Sequence, residues 1–292
     1  MAFRTLADIV ANNETQSELV QGLVQKYLQS NEYIAWADTV ITDRPSIKVN
    51  SVVDYGTVQK GMDCNSEYTS VAISGASSQF DLVKYGTQFE TCLDVVGLGS
   101  TFVDQAAEDL AGAVKRMANE ISIDAITGSG TGEIFGLNSL VTNSVAASAV
   151  GGVGSIESLW YLFDAVKSKS AKMAILCNAR TKRAILSELL GAASVGTAEL
   201  KGTSFAVPTF NGASILVNDA MTNGDVVLLN GDPTEGIFPV IGEFPSQKLG
   251  LFNYLSVGIN QSKDTEIYRL NAHVTHVKKS NDAAAKITGF VA

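Results

Sequence analysis

Apolar and polar positions along this chain change period several times, and each change marks an element. Leu19, Val20, Leu23, Val24, Tyr27 and Leu28 recur at helical spacing behind Thr15-Gln16-Ser17-Glu18, a capping box. One amphipathic helix near the N-terminus is predicted. After Asp43-Arg44-Pro45 the period falls to two, with Ile47, Val49, Val53 and Tyr55 alternating with Lys48, Asn50 and Asp54. Alternation returns at Val71 and Ile73, and strand-like apolar residues recur at Phe80, Leu82, Val83 and Tyr85. Between them lies the polar stretch Gln59 to Glu67, with turn formers Gly61 and Asn65. The pattern predicts a long hairpin whose tip has little to pack against in its own chain.

The strongest helix signal is the single stripe of Val103, Ala106, Ala107, Leu110, Ala113, Val114, Met117 and Ile121, opened by Thr101 and Asp104. It predicts about seven turns, stopped by Gly128-Ser129-Gly130-Thr131-Gly132, where glycine permits left-handed backbone. Asn138 to Gly154 has no period and reads as a loop or crossing. Ser155 caps a short helix with Leu159, Trp160, Leu162, Phe163 and Val166 inward. Met173 to Cys177 is a continuous apolar strand, and Asn178 caps a helix with Ile185, Leu186, Leu189 and Leu190 on its stripe. Asn211-Gly212 predicts a tight hairpin between Phe205-Ala206-Val207 and Ile215-Leu216-Val217. Strands are further predicted at Val226 to Leu229, at Gly236 to Val240 and through Tyr268, Leu270, Ala272 and Val274, which share one face.

Composition sharpens this picture. With 46% hydrophobic and 17% charged residues in 292, and a mean hydropathy of +0.15, few charges remain to cover an exterior. That excludes disorder and predicts extensive burial between subunits. No apolar run reaches a membrane span and no signal-peptide block opens the chain, so a soluble, non-exported protein is expected. A net charge of −9 argues against a surface that grips nucleic acid as a whole. Cys64, Cys92 and Cys177 are isolated, which fits buried thiols in a reducing compartment and no disulfide framework.

Candidate chemistry is sparse. The glycine run follows a helix instead of a strand and lacks a closing Lys-Ser/Thr, so it reads as a helix terminator before a phosphate cradle. His273 and His276, the two histidines, have an odd spacing that places them on opposite faces of a strand, so no metal site is assigned. No nucleophile elbow accompanies them, and the adjacent Glu108 and Asp109 diverge on a helix. No catalytic residue, metal or cofactor is expected. Lys115 and Arg116 form a basic doublet that reads as a solvated face, with weak contact to packaged nucleic acid as the alternative.

The order of elements resembles that of the major capsid proteins of tailed bacteriophages, with the Hong Kong 97-like fold. The resemblance covers nearly the whole chain. It rests on Gly128-Ser129-Gly130-Thr131-Gly132-Glu133-Ile134-Phe135-Gly136-Leu137, on Ala174-Ile175-Leu176-Cys177-Asn178-Ala179-Arg180-Thr181, and on Phe210-Asn211-Gly212-Ala213-Ser214-Ile215-Leu216-Val217-Asn218-Asp219. Asp264 before Arg269 and the closing Ala283-Ala284-Ala285-Lys286-Ile287 are similar to the family's last strands. The resemblance implies an α+β chain with an N-terminal arm (1–45), an extended hairpin called the E-loop (46–95), a peripheral domain with the long spine helix (96–135 and 258–292) and an axial domain (136–257). It implies hexamers and pentamers of an icosahedral virion shell around double-stranded DNA, assembled in the host cytoplasm. Leu19, Leu23 and Tyr27 of the arm, and Gln59, Lys60, Gly61, Met62 and Glu67 at the hairpin tip, are then inter-subunit contacts.

Phe135 stands where the family often has proline, and the N-terminus is short for a fused scaffolding segment, which implies a separate scaffolding protein. A portal and a decoration protein are further partners of the family. Lys60 is the candidate donor for an isopeptide bond, but no acceptor is identifiable and none is expected to form. Two other classes compete: an encapsulin-type nanocompartment, which would need a cargo-peptide pocket, and an enzyme on the central α/β region, which would need a deep pocket with perturbed titratable groups.

Overall fold

A computed structural model describes residues 4–5, 32–54, 60, 74–92, 103–146, 155–189, 195–199, 206–242 and 253–290. The chain opens with β1 (Arg4–Thr5), the short helix α1 (Glu32–Trp36), β2 (Asp38–Thr42), β3 (Ser46–Asp54), β4 (Ser74–Asp81) and β5 (Val83–Cys92). The long helix α2 (Val103–Thr127) and the turn α3 (Leu137–Leu140) lead through β6 (Ser144–Ala146) into α4 (Ile156–Ala165), β7 (Met173–Cys177) and α5 (Ala179–Leu189). Strands β8 (Val195–Glu199), β9 (Ala206–Phe210), β10 (Ala213–Val217), β11 (Val226–Asn230), β12 (Ile237–Gly242), β13 (Asn253–Ile259), β14 (Thr265–Lys278) and β15 (Ala284–Thr288) complete it.

The strands form two large sheets and a separate hairpin. The seven-stranded sheet runs β6-β15-β11-β7-β10-β9-β8. Its strand β7 is buried at every position because both sheet faces are covered, the reason it reads as an unbroken apolar run. Met173, Ile175 and Cys177 join the cluster under α4 and α5, with Leu159, Phe163, Ile185 and Phe210, whereas Ala174 and Leu176 join the main core with α2. Burial pushes the Cys177 thiol up to about 12. Helices start where their caps predict: Ser155 Oγ accepts from the Ser158 N–H at 3.3 Å, and Asn178 Oδ1 from the Arg180 N–H at 3.0 Å. Asn211 (φ 49°) and Gly212 (φ 80°) form the two-residue turn between β9 and β10 that both left-handed positions require.

The second sheet runs β1-β2-β12-β14-β13, with β5 on the other side of β14 from Thr265 to Val274. Helix α2 lies against it, and Leu110, Ala113, Val114, Met117 and Ile121 are buried as their spacing demands, joined by Ala118, Ala125 and Ile126. Strand β14 alternates in burial up to Val274, then is buried on both sides from Thr275 to Val277 where it enters the core.

Several expectations need correction. The strand pairings run between the segments named above. Strand β2, placed in the arm, and β12, placed in the axial domain, both join β14, and β15 leaves the C-terminal segment for the seven-stranded sheet. Alternation identifies a strand but not its partner, which long-range packing selects. The hairpin pairing ends at Asp81, since β5 pairs with β14 and not with β3. The aperiodic stretch from Asn138 contains α3 and β6, too short to show a period. Trp160 is 42% exposed instead of inward, and Cys92 is exposed while Cys177 is buried.

Candidate assembly surfaces

The β3–β4 hairpin pairs antiparallel from Ser46↔Asp81 to Asp54↔Ser74, and neither strand has a further strand partner among the described residues. Its base is anchored. Val49 and Phe80 are buried in the main core, and the Phe80 ring meets Phe135 edge-on at 5.6 Å. Around these anchors Asn50, Ser77, Ser78 and Gln79 are exposed. A two-stranded ribbon with polar flanks is marginal alone, so its outer part needs an external surface for stability. Lys60 is exposed; Gln59, Gly61, Met62 and Glu67, and the arm residues Leu19, Leu23 and Tyr27, lie outside the described residues.

The glycine passage closes α2. Gly130 has φ 80°, and a Cβ there would strike the Phe135 ring, so glycine is required on both counts. The loop folds back through the Ser129↔Phe135 bridge and the Gly136 N–H donating to the Gly128 carbonyl at 3.0 Å. Glu133 Oε2 accepts from the Ser129 N–H at 3.3 Å and its hydroxyl at 3.4 Å. The loop thus holds its own anion, which disfavours phosphate binding there. Tyr85 ties the assembly together: its hydroxyl donates to Asp124 Oδ2 at 2.7 Å and accepts from the Ile134 N–H at 3.3 Å, joining β5, α2 and the loop. Burial, followed by its hydrogen bond to Asp124, raises the Tyr85 pKa.

The histidines lie on opposite faces of β14. His276 is buried, with Nδ1 3.2 Å from the Phe135 carbonyl oxygen and Nε2 3.4 Å from the Tyr33 hydroxyl. A carbonyl only accepts, so Nδ1 carries the proton and Nε2 is free to accept from Tyr33. Burial lowers the His276 pKa to about 4, opposed by the Phe135 hydrogen bond. The ring is a neutral clasp between α1, β14 and the glycine loop. Among the described residues, no three His, Cys, Asp or Glu side chains are placed to hold a metal ion, and no helix is long and apolar enough to cross a membrane.

Beyond the core, β5, β14 and β13 form a ribbon. Phe89 and Tyr268 stack across it at 5.4 Å, Arg269 Nε donates to Gln88 Oε1 at 3.1 Å, and Ser256 Oγ donates to Glu266 Oε1 at 2.7 Å. The outermost strand β13 exposes Leu255, Val257 and Ile259. Sequence reasoning passed over them, although the alternation before the Asn260–Asp264 turn was a signal. Trp160 and Tyr161 on α4 are 42% and 49% exposed, and their adjacency was a signal too, since neighbours on a helix point about 100° apart. Lys115 and Arg116 lie exposed on α2, and Ile123 two turns on is also exposed.

No protein-family model and no curated protein matches the sequence. Solved structures do match in shape. The SrpI encapsulin of Synechococcus elongatus PCC 7942 is 18% identical with a TM-score of 0.71, over 99% of this chain and 96% of that one. The capsid of the native GTA particle gives 12% and 0.64, over 91% of each chain. The capsid subunit of cyanophage A-1(L) gives 13% and 0.64, over 87% of this chain and 91% of that one. With two sheets, a long helix and an extended hairpin accounted for across nearly its whole length, the chain has the Hong Kong 97-like fold of these shell subunits.

Proposed function

We propose that this chain is the major capsid protein of a tailed bacteriophage, a structural subunit without catalytic activity that forms hexamers and pentamers of an icosahedral head around double-stranded DNA. The observation that carries the reading is the extent of the shape match: 87% to 99% of the chain superposes on shell subunits. The anchored but unsupported hairpin agrees with it, as do the exposed apolar side chains of β13 and α4. In this reading β3–β4 and the segment between them are the E-loop reaching a neighbour through Gln59, Lys60, Gly61, Met62 and Glu67. The segment with Leu19, Leu23 and Tyr27 is the arm, the seven-stranded sheet is the axial domain, and α2 with the β14 sheet is the peripheral domain. Lys115 and Arg116 make weak contact with DNA, and scaffolding, portal and decoration proteins are the partners.

A protein nanocompartment is the second reading, favoured by the 0.71 match to an encapsulin. Electron microscopy and light scattering of the purified protein, with scaffold co-expressed, test both. Closed shells are expected, and a monomer at micromolar concentration under those conditions refutes both. Nuclease-protected double-stranded DNA in particles from infected cells supports the first, and an enclosed protein cargo without nucleic acid supports the second.

A further inference from the structure

Helix α4 carries an outward stripe at spacings of three and four: Glu157, Trp160, Tyr161 and Asp164, all exposed. Helix α5 carries the opposite kind, with Arg180, Arg183 and Ser187 exposed. None of the four charged side chains has an ion-pair partner among the described residues; Lys182, between the arginines, is 3.9 Å from Glu32. Trp160 is half fixed, its ring 5.1 Å from Phe210 and 6.2 Å from Phe163, so its free half is a rigid platform. Glu188 is the one exposed acid on α5, beyond the arginine pair.

We infer that α4 of one copy docks against α5 of the next copy, head to tail, within each ring of the shell. The inference rests on the shell reading above. Charge decides the geometry. A two-fold contact of α4 with itself would set Glu157 and Asp164 against the same carboxylates, and α5 with itself would oppose arginines. Only α4 against α5 pairs unlike charges, and such a heterologous contact repeats into a ring. The chemistry also fits at the centre, where guanidinium groups stack on Trp160 and Tyr161 while Glu157 and Asp164 flank them. On each subunit α4 lies over β15 and β6, and α5 over β10, and the two helices also touch, so the two stripes lie side by side in one layer and both are exposed to a neighbouring copy.

The test uses two full-length variants, Glu157→Lys with Asp164→Lys, and Arg180→Glu with Arg183→Glu. Each alone should keep wild-type circular dichroism and lose at least ten-fold in assembled fraction by light scattering. An equimolar mixture should restore six-membered rings, in which the variants alternate, but not five-membered ones, which cannot alternate. Normal assembly of either variant alone, or failure of the mixture, overturns the inference. A second readout needs no variant: on assembly of wild-type chain, acrylamide quenching of tryptophan should fall and the emission move to the blue, because Trp36 is already buried and Trp160 is not. Wild-type shells with unchanged quenching defeat this contact alone, whereas wild-type chain that never assembles defeats the shell reading.

Discussion

Acidification should loosen the subunit through one side chain, His276. In the folded chain it stays neutral down to about 4, whereas the unfolded chain takes up the proton near the ordinary value of 6.5. Between those values the unfolded state binds more protons, so stability is complete above pH 6.5 and falls as pH drops toward 4. The full gap corresponds to about 3 kcal/mol, of which about 2 kcal/mol is already lost at pH 5. A loss of that size is a sizeable share of the roughly 5–15 kcal/mol that holds a domain together. The structural cost is that of charging a fully buried ring, whose protonated Nε2 would also require the Tyr33 hydroxyl to turn from donor to acceptor. The assay is urea unfolding of unassembled subunit at pH 7 and pH 5, for wild type and His276→Asn. The variant retains an amide near the Phe135 carbonyl but has no proton to gain. Its stability should change about 2 kcal/mol less between the two pH values than that of wild type, with other groups cancelling in the difference. Equal pH dependence in the two proteins, or a His276 resonance titrating near 6.5, refutes the reasoning.

Met117→Asp should abolish soluble expression, since it sets an unpaired carboxylate on the buried face of α2, read by the soluble fraction after lysis. Deleting Gln59 to Glu67 should leave thermal unfolding of the subunit within a few degrees of wild type while shells vanish from micrographs, because the hairpin is anchored at Val49 and Phe80, outside the deletion. Gly130→Ala should cost about 2 kcal/mol from the left-handed backbone and the Phe135 clash, whereas Gly112→Ala, with open space around it on the exposed side of α2, should stabilise by about 0.5–1 kcal/mol; chemical denaturation distinguishes the two.

Elements whose signal is local were legible in the sequence. The stripe from Leu110 to Ile121 gave α2, Asn178 gave the start of α5, and Asn211-Gly212 gave a turn with both residues left-handed. What could not be read was decided by partners far along the chain. Nothing near Ile237 says that β12 lies between β2 and β14, and nothing near Ala284 says that β15 lies between β6 and β11. The surfaces divide in the same way. Hairpin and ribbon were visible as alternation, but the exposure of Trp160 depends on Phe210, fifty residues away, occupying the place beneath it. The neutral clasp at His276 was invisible because it needs Tyr33 and Phe135 brought together from opposite parts of the chain.

The path of the last strands has a consequence for the order of events in synthesis. Strand β14 is the member shared by β5, β12 and β13, and β15 fills an interior place between β6 and β11. A nascent chain that has reached Gly242 therefore holds β5 without its partner and both neighbours of β15 with a gap between them. The β14 sheet cannot close before Lys278, nor the seven-stranded sheet before Thr288, has left the ribosome. Closure of both sheets thus waits for the last strands, and a chain with both sheets complete is expected to extend at least through β15. A product truncated before β15 would have its seven-stranded sheet split between β6 and β11, so the strand order itself ties shell-competent folding to the late strands.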